Sequence, residues 1–181
     1  MKPLIFILLT LLIGCTVYDS SWNDPQYKDK DNKAKQTVKV EFDEFSGETK
    51  IVGIKERGKV NYVKYLTFIR SFIKDDQITH QLYVILEYRN DWRFYNRSNG
   101  QDKRKLETVN IERDVDCYNF CEYVEHLGIY IDESILEKYQ DKGYKIKMYA
   151  KSGHETVINF TSEQIDRHLK KISELKKDTG V

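Results

Sequence analysis

A chain of 181 residues with 30 Lys and Arg against 29 Asp and Glu is close to neutral, so it has no overall field to draw in nucleic acid or anionic lipid. The length suits one globular domain with a sizeable core. Heavy use of tyrosine beside scarce proline and methionine favours a sheet-rich fold.

Met1-Lys2-Pro3 supplies one positive charge, and Leu4 to Ile13 is apolar apart from Thr10. These are the charged and apolar regions of a secretory signal, too short for a spanning helix of about 20 apolar residues. Leu12-Ile13-Gly14-Cys15 closes the run and resembles the lipobox of bacterial lipoproteins. The resemblance implies a signal peptide over 1–14, diacylglyceryl transfer to the Cys15 thiol, cleavage before Cys15 and N-acylation, typically by palmitate, of the new amino terminus. Each buried methylene contributes about 0.8 kcal/mol, so two or three chains anchor stably where one does not. Thr16, not Asp, follows the cysteine. By analogy with lipoprotein sorting this favours the outer membrane, facing the periplasm, where the source has one. Cleavage removes Lys2 and no acid, so the mature chain is charge-balanced.

Residues 15–37 carry little periodic apolar signal, and Tyr27 to Lys35 is a mixed-charge run with nothing to bury. This stretch reads as a flexible tether, followed by one globular domain over 38–181. Val38, Val40 and Phe42 alternate with Lys39, Glu41 and Asp43, the period of a half-buried strand. Phe45-Ser46-Gly47-Glu48 reads as a turn, Thr49 to Ile54 as a strand, and Tyr62 to Ile73 as a long strand closed by Lys74-Asp75-Asp76. In Gln81 to Tyr88, Leu82, Val84, Leu86 and Tyr88 occupy one face and Ile85 the other, which marks a central strand. Asp91 to Tyr95 continues or restarts it, and Ser98 to Lys105 reads as a polar hairpin loop. Val109, Ile111 and Val115 alternate with Asn110, Glu112, Asp114 and Asp116, and Leu127, Ile129 and Ile131 give a further strand.

Asp132 can cap a short helix reaching Tyr139, which Gly143 stops. Strands over Tyr144 to Ala150 and Thr156 to Phe160 flank the Ser152-Gly153-His154 turn. Thr161-Ser162-Glu163-Gln164 fits a capping box. Ile165, Leu169, Ile172 and Leu175 then form a stripe at helical spacing, with Lys170, Lys171, Lys176 and Lys177 toward the end where the dipole favours cations. The fold class is α+β, mainly antiparallel β: six to eight strands as a curled half-barrel or a sandwich, with a short helix and a C-terminal amphipathic helix lying across the sheet. The closing hairpin and helix also resemble the tails of small cell-envelope lipoproteins, a likeness that carries no functional residue with it.

Cys117 and Cys121 lie between two alternating segments. On one continuous strand they would sit about 13 Å apart, beyond a disulfide; across a Tyr118-Asn119-Phe120 hairpin loop they face each other. Export to an oxidising compartment favours the disulfide. A redox pair normally has two intervening residues at a helix start, and zinc needs more ligands than His126 supplies nearby.

Arg89 to Arg97 interleaves basic and aromatic residues, a pattern that binds phosphates or sugar faces. As a strand it turns Trp92 and Phe94 inward and leaves Arg93, Tyr95 and Arg97 as a contact patch. Glu112, Asp114 and Asp116 share a strand face, with Glu122 and Glu125 beyond the turn. Such carboxylates bind calcium or perform acid and base chemistry, and cross-strand pairing with the Arg-rich segment accounts for them more simply. His80, His126, His154 and His168 show no ligand spacing. No nucleophile elbow surrounds Ser152, and no phosphate-cradling glycine loop occurs.

The expected function is therefore a lipid-anchored, non-catalytic binding or structural module of the cell envelope, without metal, cofactor or nucleic acid and with an envelope protein as partner. A protective inhibitor of a toxin or wall-degrading enzyme is the alternative. An enzyme stands third, and an exposed cleft gathering Glu122, Glu125, His126 and an arginine would raise it.

Overall fold

Alternating side chains build eleven strands into two antiparallel sheets in the computed structural model, which describes residues 36–75 and 77–179. The signal peptide, Cys15 and the tether up to residue 35 lie outside the described residues, as do residues 76, 180 and 181. In chain order the elements are β1 (Lys39–Asp43), β2 (Glu48–Val52), β3 (Glu56–Val60), β4 (Val63–Lys74), β5 (Gln77–Arg89), β6 (Tyr95–Gly100), β7 (Lys105–Leu106), β8 (Thr108–Cys117), β9 (Cys121–Ile131), α1 (Glu133–Lys138), β10 (Tyr144–Ala150), β11 (Glu155–Phe160) and α2 (Ser162–Thr179).

The larger sheet runs β1-β2-β4-β5-β9-β8, with β3 also paired to β4, and the smaller runs β11-β10-β6-β7. The mainly antiparallel class with a C-terminal helix is as expected, and the sheet is open, not a closed barrel. The strand number exceeds the expected six to eight because β3 and β7 have almost no apolar alternation to announce them. Ser98 to Gly100, read as loop, is the end of β6, and only residues 101–104 turn the chain.

Burial on both faces of β5 fits its place between β4 and β9. One face sends Leu82, Val84 and Leu86 against Leu127 and Ile129 of β9, Tyr144, Ile146 and Met148 of β10, Ile158 of β11 and Ile165 of α2. Each such side chain, taken fully from water, contributes about 1.5 to 3 kcal/mol. The other face buries the smaller cluster Leu66, Phe68, Tyr83 and Ile85.

Three local expectations are corrected. Every residue of β1 is exposed, Val40 at 40% and Phe42 at 68%, because the strand is an edge that neither core cluster reaches. Asp132 holds the N-cap position of α1 but makes no cap bond; its carboxylate accepts instead from Arg104 at 3.0 Å. Ile111 and Val115 remain exposed on the edge strand β8, where a bulge between Asn110 and Glu112 breaks the alternation. By contrast, Thr161 and Gln164 make the reciprocal capping box, with Gln164 N–H donating to Thr161 Oγ1 at 3.2 Å and Thr161 N–H to Gln164 Oε1 at 3.0 Å.

Candidate functional site: an aromatic-rimmed cleft at one end of the larger sheet

Two hairpin turns bracket one end of the sheet. Strand β8 pairs with β9 so that Cys117 stands opposite Cys121, with Cα atoms 4.1 Å and sulfurs 2.09 Å apart. The hairpin reading of these residues therefore applies, and the covalent link ties both ends of the Tyr118-Asn119-Phe120 tip. Tyr118 is 93% exposed and Phe120 50%. On the far side of β5 the β3–β4 turn is made by Asn61, at φ 52°, and Tyr62, which is 87% exposed. Large apolar side chains left in water at turn tips cost stability relative to burial, so they are candidates for contact with a partner.

Between the turns lies an open cleft of about 330 Å³ lined by Lys59, Tyr62, Lys64, Glu87, Arg89 and Glu122 among others. Register sets its charges: Lys64 stands opposite Glu87 and Arg89 opposite Glu122. Lys64 Nζ is ion-paired to Glu87, and Arg89 Nη2 donates to Glu122 at 3.0 Å. The Arg89 guanidinium also lies 3.5 Å from the centre of the Phe120 ring, which couples the stapled tip to the cleft wall through a cation–π contact. The arrangement offers aromatic surface, paired ions and one exposed lysine, Lys59, to an incoming group.

The predicted patch Arg93, Tyr95 and Arg97 does not form. Tyr95 is fully buried, its hydroxyl 2.6 Å from Thr156 Oγ1. Phe94 sits at φ 59° and Asn90 at φ 87°, and the left-handed residue before β6 reverses the inside-outside parity, leaving Phe94 outward and Tyr95 inward. Arg93 covers the Tyr88 ring at 4.6 Å and Arg97 the Tyr149 ring at 5.3 Å. The two guanidiniums thus serve different neighbours.

The carboxylates divide between faces. Glu122 meets the Arg-rich segment through Arg89, as expected, but Glu112, Asp114 and Asp116 lie opposite β9, not that segment. Glu125 is fully buried; it accepts from Arg113 Nε at 3.1 Å, from Tyr95 N–H at 3.1 Å and from the Tyr88 hydroxyl. Burial and that carboxylate push the Tyr88 phenol well up. His126, by alternation, points from the opposite face of β9 and meets Tyr83 at 2.9 Å, so no cleft gathers Glu122, Glu125 and His126.

Comparison with known protein families, curated proteins and solved structures finds no match.

One cluster escapes sequence reading. Ser71 Oγ lies 2.7 Å from both His80 Nδ1 and His168 Nε2, all three buried. His80 Nε2 is 3.3 Å from Glu133 Oε2, which Lys176 also contacts. Because the Glu133 carboxylate can only accept, His80 Nε2 carries its proton, Ser71 donates to His80 Nδ1, and His168 donates to Ser71. His168 Nδ1 is then a lone pair without a partner. It faces Gly53, where an added Cβ would stand 3.1 Å away. Burial lowers His80 and His168 alike, the latter to about 3. Serine, histidine and carboxylate here form a chain of a kind used in acyl transfer, but the serine that would attack is sealed from solvent. Separation in sequence hides the cluster, although parity marks it: His80 shares the face of Leu82 and Val84, and His168 falls on the stripe of Ile165 and Ile172.

Proposed function

We propose that this chain is a lipid-anchored cell-envelope protein, held by diacylglyceryl and N-acyl groups on Cys15, that acts as a non-catalytic binding module. Its contact face is the end of the larger sheet carrying Tyr62, Tyr118 and Phe120, and its partner is another envelope protein. The observation that carries this reading is the exposure of Tyr118, 93%, on a tip held by the Cys117–Cys121 link. A pre-ordered aromatic contact loses less conformational entropy on binding than a free loop does. Burial of Ser71 and the separation of Glu125 from Glu122 and His126 support a non-catalytic role. The lipobox resemblance supports the location, the outer membrane facing the periplasm in a diderm source.

The same stapled tip favours a second reading, a protective inhibitor whose aromatic finger enters the cleft of a toxin or wall-degrading enzyme. Cross-linking on intact cells with the anchored protein as bait tests both, using Cys15→Ser and Tyr118→Ala forms as controls. An envelope partner lost in both controls is the expected result. Capture of a hydrolase, with its inhibition in solution, selects the second reading. Equal capture by Tyr118→Ala removes the face proposed here.

A further inference from the structure

Strand β1 ends the larger sheet, and among the described residues it is hydrogen-bonded on one side only, to β2. The opposite edge is guarded in the usual manner: β8 carries a bulge and the carboxylates of Glu112, Asp114 and Asp116. Strand β1 has no bulge. Its five residues pair regularly with β2, from Lys39 opposite Val52 to Asp43 opposite Glu48. Val40 and Phe42 share one face and are 40% and 68% exposed, while Lys39, Glu41 and Asp43 share the other. An unpaired ladder beside uncovered apolar side chains is the feature that accepts another strand.

We infer that β1 pairs antiparallel with β1 of a second copy of this chain, about a two-fold axis at Val40. In that register Val40 faces Val40 of the second copy, and Lys39 faces Glu41 twice, once on each side of the axis. Extending the ladder two residues toward the start of the chain sets Val38 against Phe42 and Thr37 against Asp43. Every pair is then opposite in charge, apolar with apolar, or hydroxyl with carboxylate, each favourable across a strand pair. Of the neighbouring registers that keep the faces aligned, one places Lys39 against Lys39, and the other sets Lys39 against Asp43 but brings Glu41 against Glu41 on the axis. About Val40 the charges of TVKVEFD are self-complementary with no like pair, which is what a two-fold axis needs. Glu41 stays 3.5 Å from Lys50 of its own sheet, so the new ion pairs add to an existing one. A single strand pair is a small interface, and the dimer forms and dissociates with concentration.

The test uses the full chain in detergent, with sedimentation velocity over a wide concentration range and circular dichroism to confirm folding. Wild type shows a reversible monomer–dimer equilibrium. Lys39→Glu alone and Glu41→Lys alone each weaken it about tenfold, because two opposite-charge pairs become like-charge pairs. Mixing the two variants restores wild-type affinity as a heterodimer, since the two carboxylates on the strand of one variant then face the two ammonium groups on the strand of the other. A role within the monomer cannot give that rescue. Val40→Cys checks the register: it cross-links to itself under oxidation, and Phe42→Cys does not. Wild type that stays monomeric, or variants that pair no better mixed than alone, overturns the inference, including the outcome in which the edge takes only a foreign strand.

Discussion

Ser71 Oγ and His168 Nε2 lie 2.7 Å apart, tying β4 to α2 across 97 residues of sequence. The bond holds the terminal helix against the sheet, and burial of the ring with its unpartnered Nδ1 keeps the imidazole neutral. Burial, and after it the charge of nearby His80, bring His168 down to about 3 from an ordinary 6.5. Burial lowers His80 and His126 as well, despite the Glu133 carboxylate beside His80 and the acids Glu112 and Asp114 near His126. Between pH 6.5 and about 3 the unfolded chain therefore binds protons that the folded chain does not. Stability is full above the unfolded value and falls as pH drops through this window, by up to about 1.4 kcal/mol per pH unit for His168, with His80 and His126 acting in the same direction. Urea midpoints measured across the window give the slope. His168→Gln lowers stability at neutral pH and removes about one proton from the slope; an unchanged slope would refute the assignment.

Gln164 does more than cap. Its side-chain amide donates to the Thr67 carbonyl at 2.9 Å and the Ile54 carbonyl at 3.3 Å while its oxygen accepts from Thr161 N–H. Thr161→Ala removes the cap acceptor together with the hydroxyl's bond to Glu56 at 2.8 Å, and costs about 1 kcal/mol. Gln164→Ala also strands two buried carbonyls and costs about 2 to 3 kcal/mol. Thermal unfolding of the two variants separates these values, and equal losses would show that the bonds to Ile54 and Thr67 contribute nothing.

Much of this fold is legible in the sequence because its long strands alternate and its terminal helix carries a standard start signal. The β5 run, the strands from Tyr144 to Phe160 and the Thr161–Gln164 box are read from local pattern. What local pattern misses has a physical reason in each case. Period two cannot distinguish a covered face from an uncovered edge, so β1 looks half-buried. A left-handed Phe94, which the residue type does not announce, reverses the parity of Tyr95. Ser71 and His80 face each other through the β4–β5 register, and His168 joins them only through tertiary packing, though each sits in register with an apolar stripe. The tip at Cys117–Cys121 is legible as a hairpin, but its position across β5 from Tyr62 depends on sheet order.

Arg113 and Glu125 pair across β8 and β9, with the guanidinium partly exposed and the carboxylate buried. Removing the cation leaves Glu125 with donors from Tyr88 and Tyr95 N–H only. Arg113→Ala therefore costs about 2 kcal/mol, below the usual 3 to 5 for a fully buried pair, because those donors remain. Glu125→Ala leaves the donors themselves unsatisfied and costs about 3 kcal/mol. Chemical denaturation of both variants and of the double variant gives the coupling, and purely additive losses would mean that the two side chains do not interact.

The Cys117–Cys121 link closes a loop of very few residues, so chain entropy gives it only about 2 kcal/mol of stability. Its larger effect lies in what it positions, since Phe120 packs against Arg89 at the cleft wall and Tyr118 projects beside it. Replacing both cysteines by serine should lower the thermal midpoint by only a few degrees. Partner capture in the cross-linking experiment should fall far more steeply, because the tip then loses conformational entropy on binding that the staple had already removed. Tyr118→Ala in the intact hairpin should leave the midpoint unchanged and reduce capture as much. If serine replacement lowers stability and leaves capture intact, the hairpin is a structural tie and the contact surface lies elsewhere on the sheet.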